Sequence, residues 1–249
     1  LAGGLGTRLS EYTHSIPKPM VPIGNKPILH HIINFYSNFN HKHFLILMGY
    51  KSEVIIKYFI GEDGYKKAGE KDFICVNEFS EEYSKLGIEI NLLYTGEETM
   101  TGGRVKKAKN YIDSNLFMLT YGDGLCNVDL NELINFHQNN EFYATVTAVR
   151  PPARFGELNI NGNIVMKFDE KPQLQKGWIN GGFFVFDRKI FEFIENDSTM
   201  LEREPLANLS SMKKLGAYKH EGFWQCMDNK RDKDYLEKIW ANNRAPWVA

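Results

Sequence analysis

A glycine-rich segment near the start of the sequence could bind the phosphates of a nucleotide. The segment reads Gly3, Gly4, Leu5, Gly6, Thr7 and Arg8. Glycines let the backbone approach a ligand closely and direct amide N–H groups towards phosphate oxygens. Leu9 stands where a dinucleotide-binding fingerprint needs glycine, and no Gly-Lys-Ser/Thr follows, so neither common phosphate loop is present. A tight turn would also explain the glycines, but the cations of Arg8 and Lys18 favour triphosphate binding.

A carboxylate at a strand end is a second candidate site. Asp123 stands between Gly122 and Gly124, directly after the apolar run 116–121. Ligands of open α/β sheets bind outside the carboxyl ends of strands. Mg²⁺ takes few protein carboxylates and keeps phosphate and water ligands. Asp123 therefore fits a magnesium ligand, although by itself an aspartate in such a turn is more often only a turn residue.

A glycine pair followed by an arginine is a third candidate. Gly102 and Gly103 could let the backbone read the edge of a base, and Arg104 could reach the triphosphate or the base. The same residues also fit a helix N-terminus with Thr101 as its cap. Both interpretations can hold together.

The composition argues against several classes of protein. The 249 residues carry 30 Lys and Arg against 31 Asp and Glu, so no global attraction to nucleic acid or to a membrane surface is expected. No apolar run approaches the roughly 18 residues of a membrane span, and no signal-peptide pattern opens the sequence. Cys75, Cys126 and Cys226 lie far apart, which is typical of reduced thiols in a cytoplasmic protein.

The elements that must position these residues alternate between strands and helices, which predicts an α/β sheet covered on both faces. The pattern predicts strands at 44–48, 88–94, 116–121, 144–149, 155–160, 164–168 and 179–186. It predicts helices at 27–39, 52–59, 101–112, 129–138, 188–195, 202–212 and 232–240. The charged segment 61–83 predicts an insertion or a lid-like loop. Leu1 and Ala2 resemble the end of a buried strand, so we expect further apolar residues upstream.

The sequence resembles the sugar-phosphate nucleotidyltransferases. The resemblance begins with the segment 1–9 and Pro17-Lys18-Pro19-Met20 and continues to the end of the chain. The motifs that match the branch using CTP and glucose 1-phosphate are Met100 to Arg104, Thr120 to Gly124, Arg154 to Gly156, Glu170 to Pro172, Ile179 to Phe184, Gly222 to Gln225 with Asp228, and Ala245 to Trp247. The family implies an α/β, Rossmann-like three-layer fold with a central mixed β-sheet and a smaller β-rich sugar-binding portion. Short strands and turns dominate after Pro151 and Pro152, which predicts one domain, 1–249, with a nucleotide-binding half, 1–150, and a sugar-binding half, 151–249.

The resemblance also implies a role for each motif. The residues expected to bind CTP are Leu1, Gly3, Gly4, Gly6, Thr7, Arg8, Lys18, Thr101, Gly102, Arg104 and Gly122. The sugar 1-phosphate would contact Glu170, Lys171, Asn180, Gly181 and Trp224, with Lys171 at its phosphate. Asp123 and Asp228 would hold Mg²⁺. Arg8, Lys18 and Lys171 would be the catalytic cations.

The expected reaction joins CTP to α-D-glucose 1-phosphate and gives CDP-glucose and pyrophosphate, for surface polysaccharide. The attacking phosphate oxygen is already anionic at neutral pH, so the work is positioning and charge neutralisation without a general base. Three alternatives stay open: a uridylyl- or thymidylyltransferase, a cytidylyltransferase with another acceptor, and a non-catalytic nucleotide-sugar-binding regulator. The family also implies a homo-oligomer, for which Trp240 and Trp247 are candidate contact residues.

Overall fold

A computed structural model describes residues 1–151, 157–161, 164–169 and 177–248. The strands are β1 (Pro22–Ile23), β2 (Lys26–Pro27), β3 (His43–Met48), β4 (Phe73–Cys75), β5 (Glu89–Tyr94), β6 (Leu116–Thr120), β7 (Gly124–Cys126), β8 (Ala144–Val149), β9 (Glu157–Asn161), β10 (Ile164–Asp169), β11 (Ile179–Asp187), β12 (Leu215–His220) and β13 (Trp224–Cys226). The α-helices are α1 (Ser10–Thr13), α2 (Ile28–Asn38), α3 (Ser52–Ala68), α4 (Glu81–Lys85), α5 (Thr101–Lys107), α6 (Leu130–Gln138), α7 (Glu204–Ser211) and α8 (Lys230–Ala241). Short 3₁₀ helices cover Thr7–Leu9, Lys18–Met20, Val76–Glu78, Ala108–Tyr111 and Arg188–Phe193.

Two mixed sheets meet at the start of the chain. One has the order β3-β5-β4, with β3 and β5 parallel and β4 antiparallel to β5. The other has the order β12-β8-β11-β6, in which β12 and β8 are parallel and the other pairs antiparallel. Ala2 bridges Met48 of β3 in parallel, and the Leu1 nitrogen donates to the Thr120 carbonyl of β6 at 2.7 Å. Leu1 and Ala2 therefore lie between the two sheets.

The strand β11 shows why helices cover both faces of the larger sheet. Phe183, Phe184, Val185 and Phe186 are each at most 1% exposed. Successive side chains of a strand point to opposite faces. Phe183 and Val185 pack into the core formed with α2, α6 and α8, whereas Phe184 and Phe186 pack into the core formed with α5, α7 and the 3₁₀ helix Arg188–Phe193. The predicted α/β fold with a mixed sheet between helical layers is confirmed.

The prediction of a lid-like loop at 61–83 is wrong. The helix α3 continues past a bend at Gly61, whose φ of 71° departs from helical geometry, and ends at Ala68. The strand β4 then pairs with β5, and Ile74, Val76 and Tyr83 are buried in the core beside β3 and β5. The segment therefore contributes the edge strand of the sheet β3-β5-β4.

Trp247 is buried in the protein core. Its side chain is 1% exposed and packs against His31, Phe223 and Trp240. The expectation that Trp247 forms an intersubunit contact is therefore wrong, because residues of the same chain already cover its side chain.

None of the helices among the described residues has the length and apolar character of a membrane-spanning segment.

Candidate active site

A short antiparallel strand pair brings two distant carboxylates together. Asp123 lies between β6 and β7, and Asp228 follows β13. Gly124 of β7 pairs with Cys226 of β13, and the Met227 N–H donates to the Asp123 carbonyl at 2.7 Å. This pairing places the predicted metal ligands side by side.

The ammonium group of Lys18 lies between these carboxylates. Its Nζ donates to Asp123 Oδ2 at 2.6 Å and to Asp228 Oδ1 at 2.8 Å, and its side chain is only 12% exposed. Burial disfavours the charge and is the largest single influence on the pKa of Lys18. The attraction and hydrogen bonds of Asp123 and Asp228 together outweigh burial and raise this pKa. Lys18 is therefore a charged cation at neutral pH.

Arg8 completes a cluster of four charged side chains. Its guanidinium binds Asp228 Oδ2 through Nη1, while most of the side chain, 76%, is exposed.

Within the described residues, no group of three or more His, Cys, Asp or Glu side chains could hold a metal. Asp123 and Asp228 nevertheless converge on one cation, and Mg²⁺ commonly uses one or two carboxylates and takes its other ligands from phosphates and water. The pair therefore fits a magnesium ion that binds together with a nucleotide.

The glycines of the segment 3–8 have different structural reasons. Gly6 has a φ of 63°, in the left-handed region that favours glycine. At Gly3, an added Cβ would overlap the guanidinium of Arg104. Gly4 is exposed, and an added Cβ there would meet nothing within 4 Å. Neither the backbone conformation nor the surrounding described residues require glycine at position 4, which leaves this surface open to a ligand.

Two neighbours of this segment were also predicted to bind the nucleotide. Thr7 is exposed at the start of the 3₁₀ helix Thr7–Leu9. Gly122 lies against Leu1, and an added Cβ at Gly122 would approach the Leu1 carbonyl oxygen to 2.7 Å. Leu1 and Gly122 are therefore in close contact with each other, whereas the Thr7 side chain is exposed.

Arg104 lies beneath the glycine segment and does not face solvent. It is 3% exposed. Its guanidinium donates to the carbonyls of Gly3 at 2.9 Å, Met48 at 2.9 Å, Gly96 at 2.7 Å and Glu97 at 3.0 Å, and to the Thr95 hydroxyl at 2.5 Å. Arg104 thus links three segments of the chain through hydrogen bonds: the glycine segment at Gly3, the end of β3 at Met48, and residues 95–97. This placement differs from the expected contact with a base or a triphosphate.

The start of α5 packs against the segment 197–202. The N-cap of α5 is Met100, so Thr101 is its first residue and not its cap. The Thr101 hydroxyl donates to Glu202 Oε2 at 2.6 Å and accepts from the Leu201 N–H at 2.9 Å. An added Cβ at Gly102 would approach the Thr199 carbonyl oxygen to 2.7 Å. Close helix–loop packing therefore explains the glycine at position 102.

A cavity of about 220 Å³ opens beside the charged cluster. Among its lining residues are the predicted site residues Arg8, Asp123, Asn180, Gly181, Trp224 and Asp228. The Trp224 indole N–H donates to the Gly181 carbonyl at 2.7 Å, which fixes the wall of the cavity. The fold thus brings together residues separated by as many as 220 positions along the chain. Glu170 and Lys171 lie outside the described residues.

Two polar residues near this cavity were given no role from the sequence. Tyr121 lines the cavity, and its hydroxyl donates to Glu202 Oε1 at 2.5 Å. Burial and then the Glu202 carboxylate raise the pKa of Tyr121, so its hydroxyl is neutral. Tyr121 belongs to the matched motif 120–124 and could have been noticed there. No local signal marks Glu202, because its relevance comes from contacts with residues 81 and 101 positions away.

Known proteins share both the sequence and the fold. Residues 1–228 match the nucleotidyl transferase family model. The chain is 45% identical to glucose-1-phosphate cytidylyltransferase of Salmonella typhimurium, covering 99% of this chain and 96% of that protein. It is 39% identical to the probable glucose-1-phosphate cytidylyltransferase of Bacillus subtilis, covering 99% and 97% of the two chains.

Solved structures show the same fold at lower sequence identity. HddC from Yersinia pseudotuberculosis matches with a TM-score of 0.69 and 24% identity over 96% of each chain. An apo UDP-glucose pyrophosphorylase matches with a TM-score of 0.68 and 17% identity over 98% of this chain and 97% of that one. The family match, the extent of the sequence identity and the converging charged cluster agree, and the chain belongs to the nucleotidyl transferase family.

Proposed function

We propose that this protein is a glucose-1-phosphate cytidylyltransferase, which makes CDP-glucose and pyrophosphate from CTP and α-D-glucose 1-phosphate. The observation that carries the proposal is the cluster of Lys18, Arg8, Asp123 and Asp228 beside a cavity that Tyr121, Asn180 and Trp224 also line. The 45% identity to the Salmonella typhimurium enzyme supports the choice of CTP and glucose 1-phosphate.

The reaction requires two anions to meet. An oxygen of the sugar phosphate attacks the α-phosphorus of CTP, a new P–O bond forms, and the bond to the β-phosphate oxygen breaks as pyrophosphate leaves. Because the attacking oxygen is already ionised, the protein must neutralise charge and align the reactants. Arg8 is exposed and can reach the triphosphate, and Lys18 supplies a partly buried cation beside Asp123. The open surface at Gly4 allows the phosphates to approach the backbone.

Asp123 and Asp228 would hold the magnesium ion. A bound Mg²⁺ would neutralise negative charge on the reacting phosphates. Lys18 now occupies the point on which both carboxylates converge. We expect Lys18 to turn from the carboxylates towards the triphosphate when the metal and the nucleotide bind, which would leave the carboxylates to the metal.

The sugar would occupy the cavity beside this cluster. Asn180 and Gly181 lie on β11 at the cavity wall, and Trp224 lines the cavity beside Gly181. Amide and carbonyl groups suit sugar hydroxyls, because each hydroxyl both donates and accepts hydrogen bonds. Lys171 is proposed to hold the sugar phosphate, and we expect Lys171→Ala to raise the KM for the sugar phosphate while leaving the KM for CTP near its wild-type value.

Pyrophosphate release tests the proposed function directly. The purified protein is given Mg²⁺ and glucose 1-phosphate with CTP, UTP, dTTP, ATP or GTP in parallel. Release with CTP alone supports the proposal, and release with UTP or dTTP moves the protein to a uridylyl- or thymidylyltransferase. If CTP releases pyrophosphate only with another sugar phosphate, the acceptor assignment is wrong. If no pair reacts but calorimetry shows nucleotide-sugar binding, the protein is a regulator.

The assembly state and the use of the product are proposed from the family. We propose a homo-oligomer, and light scattering coupled to size-exclusion chromatography would measure its mass. A monomer under assay conditions would contradict this part of the proposal. CDP-glucose is proposed to serve surface-polysaccharide synthesis.

A further inference from the structure

A directed chain of hydrogen bonds runs from the cavity to the start of α5. Asn180 Nδ2 donates to the Tyr121 hydroxyl at 3.1 Å, and that hydroxyl donates to Glu202 Oε1 at 2.5 Å. From the other side, Thr101 donates to Glu202 Oε2 at 2.6 Å. An ionised carboxylate only accepts hydrogen bonds, so both hydroxyls must point their protons at Glu202. Glu202 thus sets the direction of the whole chain.

This direction fixes which way the Asn180 amide faces. Because the single proton of the Tyr121 hydroxyl is used by Glu202, the Tyr121 oxygen can only accept from Asn180. The Gly182 N–H can only donate, and it donates to Asn180 Oδ1 at 2.8 Å. Two independent partners therefore select the same amide orientation. Among the described residues, one N–H of Asn180 and one lone pair of its oxygen have no partner, so both can bind a ligand.

Tyr121 is held firmly enough to act as this partner. Its ring lies against Gly182, where φ is 79° and an added Cβ would approach the ring carbon to 2.7 Å. The ring also contacts Phe184 edge to face, with centroids 5.7 Å apart. The Tyr121 backbone N–H donates to the Gly182 carbonyl at 3.0 Å. Removing only the hydroxyl would leave these ring and backbone contacts in place.

We propose that Glu202 is a positioning residue, which acts through the Tyr121 hydroxyl to orient the Asn180 amide towards the hydroxyls of the acceptor sugar. The proposal rests on the proposed function, because it assumes that a sugar phosphate occupies the cavity. Glu202 does not line the cavity itself. Its role is to select the donor and acceptor pattern that Asn180 presents, and hence which arrangement of sugar hydroxyls binds.

The test compares Tyr121→Phe and Glu202→Ala with a matched control. Tyr218 donates to Glu132 Oε2 at 2.9 Å on α6, away from the cavity, so Tyr218→Phe also removes one Tyr–Glu hydrogen bond. For both site variants we expect the KM for glucose 1-phosphate to rise about five- to tenfold, as for loss of one well-placed hydrogen bond. The KM for CTP should stay within about twofold of wild type, and Tyr218→Phe should leave both KM values unchanged.

Epimers of the acceptor separate recognition from general damage. Discrimination against galactose 1-phosphate and mannose 1-phosphate should weaken in Tyr121→Phe and in Glu202→Ala, because only the Gly182 N–H then holds the Asn180 amide in its orientation. In an Asn180→Ala background, Tyr121→Phe should have no further effect on the KM for the sugar phosphate. Circular dichroism and thermal unfolding of each variant show whether it is folded, and if one site variant does not fold, the other provides the same comparison.

The outcomes separate this proposal from the proposed function. If the wild-type protein turns over no sugar phosphate, the proposed function fails. If the wild-type protein is active but Tyr121→Phe and Glu202→Ala are folded with unchanged KM values and unchanged epimer discrimination, Glu202 is not a positioning residue. Equal increases in the KM for CTP and for the sugar phosphate would also overturn the proposal.

Discussion

The guanidinium of Arg104 packs against the backbone of Gly3 and donates a hydrogen bond to the Gly3 carbonyl at 2.9 Å. The two residues are 101 positions apart. A buried cation bonded to backbone carbonyls thus supports the segment that carries the candidate phosphate contacts. This support explains why Gly3 must be glycine, and it separates the role of Gly3 from that of Gly4.

Arg104→Lys should destabilise the protein strongly. Lysine cannot reproduce the planar fork of donors, so the carbonyls of Gly3, Met48, Gly96 and Glu97 could not all keep the hydrogen bonds that Arg104 donates. We expect the free energy of unfolding to fall by about 2–4 kcal/mol, measured by urea denaturation. Arg244→Lys is the control, because Arg244 is exposed, and its effect should stay within about 0.5 kcal/mol. Equal stability of the two variants would show that the Arg104 bonds contribute little.

Gly4→Ala should impair CTP binding without loss of stability, whereas Gly3→Ala should lower the stability. Gly4→Ala should change the free energy of unfolding by less than about 0.5 kcal/mol, because the new methyl group meets no protein atom. It should raise the KM for CTP, because that methyl group occupies the surface proposed for the phosphates. Gly3→Ala should lower the melting temperature, because its Cβ overlaps Arg104. A Gly4→Ala variant with wild-type kinetics would rule out close approach of the nucleotide at position 4.

Lys18→Met should bind Mg²⁺ more tightly than the wild-type protein when no nucleotide is present. In the wild-type protein the metal must displace an ammonium group that bonds to both Asp123 and Asp228. We therefore expect a larger increase in melting temperature on adding MgCl₂ to the variant, measured by scanning fluorimetry. The same variant should lose about 100-fold or more in kcat with CTP, since a cation at the reacting phosphates is gone. Lys66→Met, at an exposed lysine, is the control, and identical magnesium shifts in the wild type and Lys18→Met would contradict the shared site.

The stability should fall when the pH drops below about 6.5, partly because of His30. Burial, followed by the charges of Lys26 and His31, lowers the pKa of His30 from 6.5 to about 4. Between these values the unfolded chain binds a proton that the folded protein excludes, so the stabilisation is present above pH 6.5 and is lost as the pH falls towards 4. Urea unfolding at about pH 7.5 and about pH 5 should show a smaller loss in His30→Gln than in the wild type. His14→Gln, at an exposed histidine, should keep the wild-type slope, and parallel losses in all three proteins would contradict the role of His30.

Strongly periodic segments were predictable from local sequence. The predicted strand 144–149 coincides with β8, and the predicted helix 27–39 contains α2. In these segments the apolar positions repeat with the period of the element, so burial and local preference agree. The segment 61–83 was not predictable in this way, because β4 has only three residues and its pairing with β5 lies beyond local patterns.

The sequence alone determined the α/β class and the family, and it supplied Arg8, Lys18, Asp123 and Asp228 as candidate charged groups. Local spacing can show these properties because it reports backbone freedom, strand and helix periods and the types of side chain present. Only the tertiary structure decided which glycines pack closely against other residues, that Arg104 points inwards, and that Glu202 lies beside Tyr121. These relationships join residues 81 to 101 positions apart, and packing between separate elements, which no local pattern encodes, sets the direction of each side chain.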